Sequence, residues 1–296
     1  MKLFKRLFAP FAALLAVAAP TAARAPQQAK PALWEVSDAD TKVYLFGTIH
    51  LLPQNYRWRT PAFDQAVAGS QQLVVETIVD ENNPHQMMAA MTSLAFSPDL
   101  PPIIERVPAA KRPALQAAIR KSGMTEPMFD KMETWAAAFM LLGNQFRAMG
   151  LKTGEGVETV LRNAFAKQGK TVGQLESNRE QLSFFDALPE EAQRSLLEGA
   201  IEEPASLSKD FDRMIAAWAR GDVNAIADTF NRELSSVPAL REALLSRRNA
   251  NWSRWVQQRM ASPGSVLIAV GAGHLAGPDS VVDLLKRRGY KVRRVQ

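Results

Sequence analysis

The chain of 296 residues contains no cysteine. That excludes a disulfide, a thiol nucleophile and a lipid-attachment cysteine, and it suits an oxidising compartment because nothing there can mispair. A hydrophobic run long enough to cross a bilayer, roughly 20 apolar residues, is also missing: Leu7 to Ala19 is shorter, and Trp135 to Leu142 is followed by polar residues. No integral membrane segment is expected once a leader is removed. Neither His-Glu-x-x-His nor Gly-x-Ser-x-Gly occurs, and Gly169-Lys170-Thr171 has Ala164 where a phosphate-binding loop needs its earlier glycine. Zincin, α/β-hydrolase and nucleotide-triphosphatase readings therefore fall away. Histidine is scarce too, with three in the whole chain.

Met1 to Ala25 carries Lys2, Lys5 and Arg6, then the apolar stretch, then Ala23-Arg24-Ala25. This is the pattern of a secretory signal peptide cleaved after Ala25, so residues 26–296 are expected as one periplasmic or secreted domain. The formal charge of +6 shrinks with that segment, whose four basic residues leave 32 basic against 30 acidic, a net of +2. Nucleic acid loses its main support as a partner. The basic tail (Lys286, Arg287, Arg288, Lys291, Arg293, Arg294) suits the C-terminal dipole of a helix ending before Gly289 and the edge of a last strand.

Val43-Tyr44-Leu45-Phe46 and Val266 to Val270 are short, apolar and β-prone, so they read as buried strands, as do Leu73-Val74-Val75 and Val172 to Leu175. Leu33 to Val36 and Lys42 to Phe46 flank Ser37-Asp38-Ala39-Asp40, a hairpin. Thr60-Pro61 caps a short helix, Gly156 to Gln168 forms another, and Pro278 to Arg288 links the strand reaching His274 to a last strand at Tyr290 to Val295, a βαβ unit. Two stretches read as helical by period, about 84–150 and 178–260, with breaks at Pro113, Gly123, Pro127, Gly150, Pro189, Pro204, Gly221 and Pro238. Trp135, Phe139, Leu142 and Phe146 recur at helical spacing as a core stripe, and Met87, Met88, Met91, Met124, Met128 and Met132 supply pliable filling. The fold class expected is α/β: a central mixed sheet carrying a large α-helical insertion.

Two of the three histidines close matching phrases, Gly47-Thr48-Ile49-His50 and Gly271-Ala272-Gly273-His274, each after an apolar strand. Glu76 and Glu176 also follow strands. Open α/β sheets bind ligands at strand ends, and two imidazoles with one or two carboxylates form a common donor set for a catalytic divalent metal. Such a metal lowers the pKa of bound water towards about 7 and polarises a carbonyl, which suits amide or ester hydrolysis. The bland alternative is that both histidines merely bond loop carbonyls. His85, on a polar helix start, is read as surface.

Several separated phrases carry a family resemblance: Leu33-Trp34-Glu35-Val36, Val43 to Leu51, Val75-Glu76-Thr77, Leu175-Glu176, Arg248-Asn249 with Trp252, and Val270 to Leu275 with Gly277. In order and spacing, over Ala32 to Val295, the chain resembles the TraB/GumN family, related to the Tiki metalloproteases and to the ChaN-like and erythromycin-esterase-like proteins. The resemblance implies a central sheet with paired strand-end Gly-x-x-His motifs and a metal-dependent peptidase. His50, Glu76 and His274 would hold Mn, Co or Zn, Glu76 or Glu176 would activate water, and Arg248 with Asn249 would clamp a carboxylate or oxyanion. The substrate implied is a peptide or small molecule. Relatives also imply two rivals, a periplasmic protein that sequesters a peptide signal without cutting it, and a haem or iron binder using His50 or His274. Gly156-Val157-Glu158 departs from the family's Gly-Val-Asp, which sets Glu158 aside as a site residue.

Overall fold

The computed structural model describes residues 27–53, 56–79, 85–149, 151, 156–234 and 237–296, with backbone alone at 204–205 and 231–233. The expected leader, the helix start at Asn83-Pro84 and the stop at Gly150 lie outside the described residues. None of the described helices is long and apolar enough to cross a membrane.

Six strands make one mixed sheet: β1 Leu33–Ser37, β2 Thr41–Thr48, β3 Gln72–Val75, β4 Thr171–Gln174, β5 Gly264–Gly271 and β6 Val292–Arg294, in the order β4-β3-β5-β2-β1-β6. The first four in that order are parallel, and β1 runs antiparallel to both β2 and β6. The expected hairpin joins β1 to β2, with the Thr41 N–H donating to the Asp38 carboxylate at 2.9 Å. β2 and β5, far apart in the chain, are neighbours in register from Thr41 opposite Gly264 to Thr48 opposite Gly271.

Alternation along the strands sends side chains to two buried faces. On one, Phe46, Leu73, Val75, Leu267 and Ala269 meet Phe63, Ala66 and Val67 of α1 (Pro61–Gly69), Leu161 and Phe165 of α6 (Val157–Lys167), and Trp218 of α9 (Pro204–Ala219). The Phe46 and Phe63 rings lie 4.4 Å apart there, in the range where aromatic pairs add to area burial. On the other face, Val43, Leu45, Val74, Val266, Ile268 and Val270 meet Trp252, Val256 and Met260 of α12 (Arg247–Met260) and Val281, Val282 and Leu285 of α13 (Val281–Arg287). The last crossover from β5 through α13 to β6 is present, with β2 and β1 lying between its strands. Arg293 and Arg294 sit on the edge strand β6, as the basic tail suggested.

The other helices build a core of their own around Leu115, Phe129, Trp135, Leu141 and Leu197. They are α2 (His85–Leu94), α3 (Arg112–Ser122), α4 (Glu126–Asp130), α5 (Thr134–Ala148), α7 (Asn178–Asp186) and α8 (Glu190–Gly199). Their proline and glycine punctuation follows the sequence: Pro113, Pro127, Pro204 and Pro238 open helices, and Gly123 closes α3 at φ 76°, a left-handed turn that glycine adopts without Cβ strain. Of the second helical stretch, α7 and α8 join this core, whereas α9, α10 (Val223–Leu234) and α12 pack on the sheet. The methionines divide likewise: Met132 is buried, but Met88 and Met128 are exposed and fill nothing.

Candidate functional site

All four parallel strands end at one edge. Thr48 closes β2, Gly271 closes β5, Glu76 follows β3 at once, and Glu176 follows β4 by two residues. β5 stops at Gly271, so His274 lies on a 3₁₀ turn, Ala272–Leu275, and not on a strand running to it as the sequence suggested. Crowding at this edge needs glycine. A Cβ on Gly47 would lie 3.0 Å from the Ala272 Cα, tighter than ordinary contact, so a side chain at position 47 would push the two motif loops apart by a few tenths of an ångström.

Glu76, Glu176, Arg248 and His274 are all buried. Arg248 stands in the first turn of α12, directly after a π-helical turn, Glu242–Ser246. Its Nη2 donates to Glu76 Oε2 at 2.6 Å and to Glu176 Oε2 at 2.8 Å, and its Nε donates to Glu176 Oε1 at 3.0 Å. Its Nη1 reaches the Leu244 carbonyl at 3.3 Å and His274 Nε2 at 3.2 Å. All five guanidinium N–H groups thus have partners within the chain. The Trp252 indole also donates to Glu176 Oε1 at 2.9 Å. Asn249 is equally committed: its amide nitrogen donates to the Asp279 carbonyl at 2.9 Å, so its oxygen accepts from His274 Nδ1 at 2.7 Å. The clamp expected of Arg248 and Asn249 therefore has no free donor for a ligand. The pair holds the other site residues in place instead.

This pattern fixes the state of His274. With Nδ1 protonated towards Asn249, Nε2 keeps its lone pair and accepts from Arg248. Burial pushes its pKa down to about 3, against the pull of Glu76, so the ring is neutral. For Glu76 burial opposes ionisation, yet its pKa falls to about 2 because His274, Arg248 and His50 face it and the Gly271 N–H donates to Oε1 at 2.7 Å. With His274 neutral, Arg248 is the permanent cation among these. Burial raises the pKa of Glu176, partly offset by its bonds from Arg248 and Trp252.

His50 stands at the rim with 67% of its side chain exposed. Its Nδ1 lies 2.8 Å from Glu158 Oε1, and the Thr48 hydroxyl donates to the same carboxylate oxygen. The Glu158 carboxylate raises the pKa of His50 to about 9, against desolvation. Glu158, set aside from the sequence, is therefore part of the site. It stands in the first turn of α6, whose N-cap Gly156 passes so close to His50 that a Cβ there would meet the His50 carbonyl oxygen at 2.2 Å. Gly156→Ala is expected to push α6 away from residues 49–50 and part Glu158 from His50, seen as a lower melting temperature and a His50 pKa falling towards 6.5 by NMR titration. The sequence signal was a glycine one residue ahead of a helix and an acid in its first turn.

The predicted trio comes together around Gly271. A Cβ at that position would lie 3.1 Å from Glu76 Oε1, 3.7 Å from His274 Cδ2 and 3.8 Å from His50 Nε2, and His274 Nε2 is itself 3.8 Å from Glu76 Oε1. Two imidazoles and one carboxylate oxygen bordering one small space are a donor set that suits a divalent metal. They border it without closing on it: among the described residues no three His, Asp or Glu side chains converge tightly enough to hold an ion as they stand. Next to them opens a cavity of about 310 Å³ with apolar walls, including Phe146 and Phe211. Phe146, read as the end of a core stripe, faces this cavity, while Trp135 at the head of the same helix is in the insertion core. His85 is exposed, as expected of a surface residue.

The profile of the TraB/PrgY/gumN family matches residues 32–294. Uncharacterized protein YbaP of Escherichia coli (strain K12) is 23% identical over 247 residues, covering 82% of this chain and 87% of that protein, and YbaP of Shigella flexneri matches to the same extent. No solved structure gives a significant match.

Proposed function

The chain belongs to the TraB/PrgY/gumN family, and on that premise we propose that it is an exported hydrolase, a peptidase using Mn, Co or Zn held by His50, Glu76 and His274. The observation that supports this reading is the meeting of two imidazoles and a carboxylate around the bare Cα of Gly271, at the mouth of an apolar cavity. A bound divalent ion supplies Lewis acidity and an acidified water at that point. The chain's own residues prepare the ligands. Asn249 holds His274 in the tautomer with an unprotonated Nε2, whose lone pair accepts from Arg248 Nη1 and would pass to a metal once that bond is exchanged. Arg248 and the Gly271 N–H keep Glu76 ionised. Glu158 accepts from His50 Nδ1 and so turns Nε2 towards the cavity, the usual task of a carboxylate behind a metal-binding histidine. Both carboxylates expected to activate water accept hydrogen bonds at each oxygen, but Glu76 lines the cavity and Glu176 does not, which favours Glu76 for that role.

Protein dialysed against Mn²⁺, Co²⁺ or Zn²⁺ and then against buffer is expected to retain about one ion per chain, and His274→Ala is expected to lose it. Because His50 sheds a proton on binding metal and Glu158 raises its pKa, affinity is expected to climb as pH rises from about 6 to about 9. Mass spectrometry of a peptide mixture then reads cleavage with and without metal. No retained ion and no metal-dependent cleavage would sink the proposal, and binding without cleavage under every metal would favour the sequestering rival.

A further inference from the structure

We infer that the cavity beside the cluster selects a large uncharged side chain, aromatic or branched aliphatic, from a peptide whose backbone lies across His50 and His274. This deepens the peptidase reading and rests on it for the place of cleavage. The cavity's apolar walls come from three helices and the π-helical turn: Phe146 of α5, Phe211 and Met214 of α9, Phe230 of α10, and Leu245. A dry cavity of roughly 150 Å³ already takes benzene, so about 310 Å³ accommodates one large side chain with its flanking backbone.

Its polar lining comes from the strand-end cluster: Thr48, His50, Glu76, Arg248 and His274. The Arg248 and Asn249 donors there are closed to an acidic side chain, because every N–H of Arg248 and the amide of Asn249 are already committed within the chain, and His50 stands out at the exposed rim. Three carboxylates, Glu76, Glu158 and Glu176, outnumber the cations Arg248 and His50, so a second anion is repelled. A lysine would have to carry its charge past Phe146, Phe211 and Phe230 to reach Glu76, whose oxygens already accept from Arg248, Gln181 and the Gly271 N–H. The motif glycine also serves the pocket: a Cβ on Gly273 would strike the Phe230 ring at 2.6 Å, so this position keeps a pocket wall flat against the turn that carries His274.

Five fluorescein-labelled octapeptides, identical except for a central Phe, Leu, Trp, Asp or Lys, test this with the full chain by anisotropy. The Phe and Leu peptides are expected to bind at least about tenfold tighter than the Asp and Lys peptides. Met214→Trp, which fills the cavity, is expected to abolish that preference, and Phe230→Ala, which widens it, is expected to move the preference towards a central Trp. Circular dichroism melts identify the variant that remains folded. Equal affinities, no binding by any peptide, or a preference unchanged in the folded variant overturns the pocket. Incubating the same peptides with Mn²⁺ separates the two claims: selective binding without cleavage overturns the peptidase and leaves the pocket, and cleavage without preference does the reverse.

Discussion

Arg248→Ala is expected to cost about 3–5 kcal/mol of folding stability at neutral pH, because it strands two buried carboxylates beside each other. Glu76 and Glu176 each lose their guanidinium partner, and among the described residues no other lysine or arginine is seen bonded to either. The sign of the pH dependence follows. In the intact protein the Glu76 pKa is held down at about 2 against an ordinary 4.5, so its contribution is present above about 4.5 and is lost as pH falls towards 2. In the variant both carboxyls must rise, and protonation relieves their repulsion. Urea unfolding at pH 7 and at pH 5 should therefore show a smaller gap between variant and parent at the lower pH. A gap that stays constant or widens would mean that the loss comes from packing against Trp252, whose ring lies 4.6 Å from the guanidinium carbon. Arg248→Lys retains the charge without the planar fork, and an intermediate loss is expected.

Gly271→Ala is expected to leave the fold intact and to weaken divalent-metal binding about 10–100-fold, the range seen when the surroundings of metal ligands are disturbed. The backbone there, φ −50° and ψ 135°, accepts any residue, so no strain arises from conformation. The new methyl lies 3.1 Å from Glu76 Oε1, within the space that the two histidines border. Isothermal titration with Mn²⁺, beside a metal-free melting curve, separates these effects. An unchanged affinity would place any metal away from this point, and a collapsed metal-free melt would show that the glycine is structural.

The sheet and the meeting of His50, Glu76 and His274 were legible in the sequence because each residue lies within four positions of the end of a short apolar run. Parallel strands deliver whatever follows them to a common edge. The arginine was legible as a member of the site but not in its role, since residue type does not reveal that Glu76, Glu176, His274 and a carbonyl will claim every N–H. Glu158 came into view through the Gly-Val-Asp phrase and was set aside for being Glu, because its pairing with His50 depends on a close crossing of Gly156 over the His50 carbonyl, a contact between segments that share no local pattern. The cavity escaped for another reason. At 15 residues, α5 is about 22 Å long, so one apolar stripe leaves the insertion core at Trp135 and reaches the sheet's cavity at Phe146. Helical period reports that a face is buried, not which of two interiors receives it.

The strand order also dictates when the site can first exist. β5 lies between β3 and β2, so before residues 264–271 are made the sheet is two separate ribbons, β1–β2 bearing His50 and β3–β4 bearing Glu76 and Glu176. His274 arrives with the strand that joins them. A nascent chain thus lacks the assembled cluster until nearly all of it has been synthesised, and until then the strands that flank β5 have no partner on that side, the kind of open edge that favours aggregation. Closing so long a loop makes the final insertion slow. A fragment ending before residue 264 would combine the worst of both, exposed edges and no site.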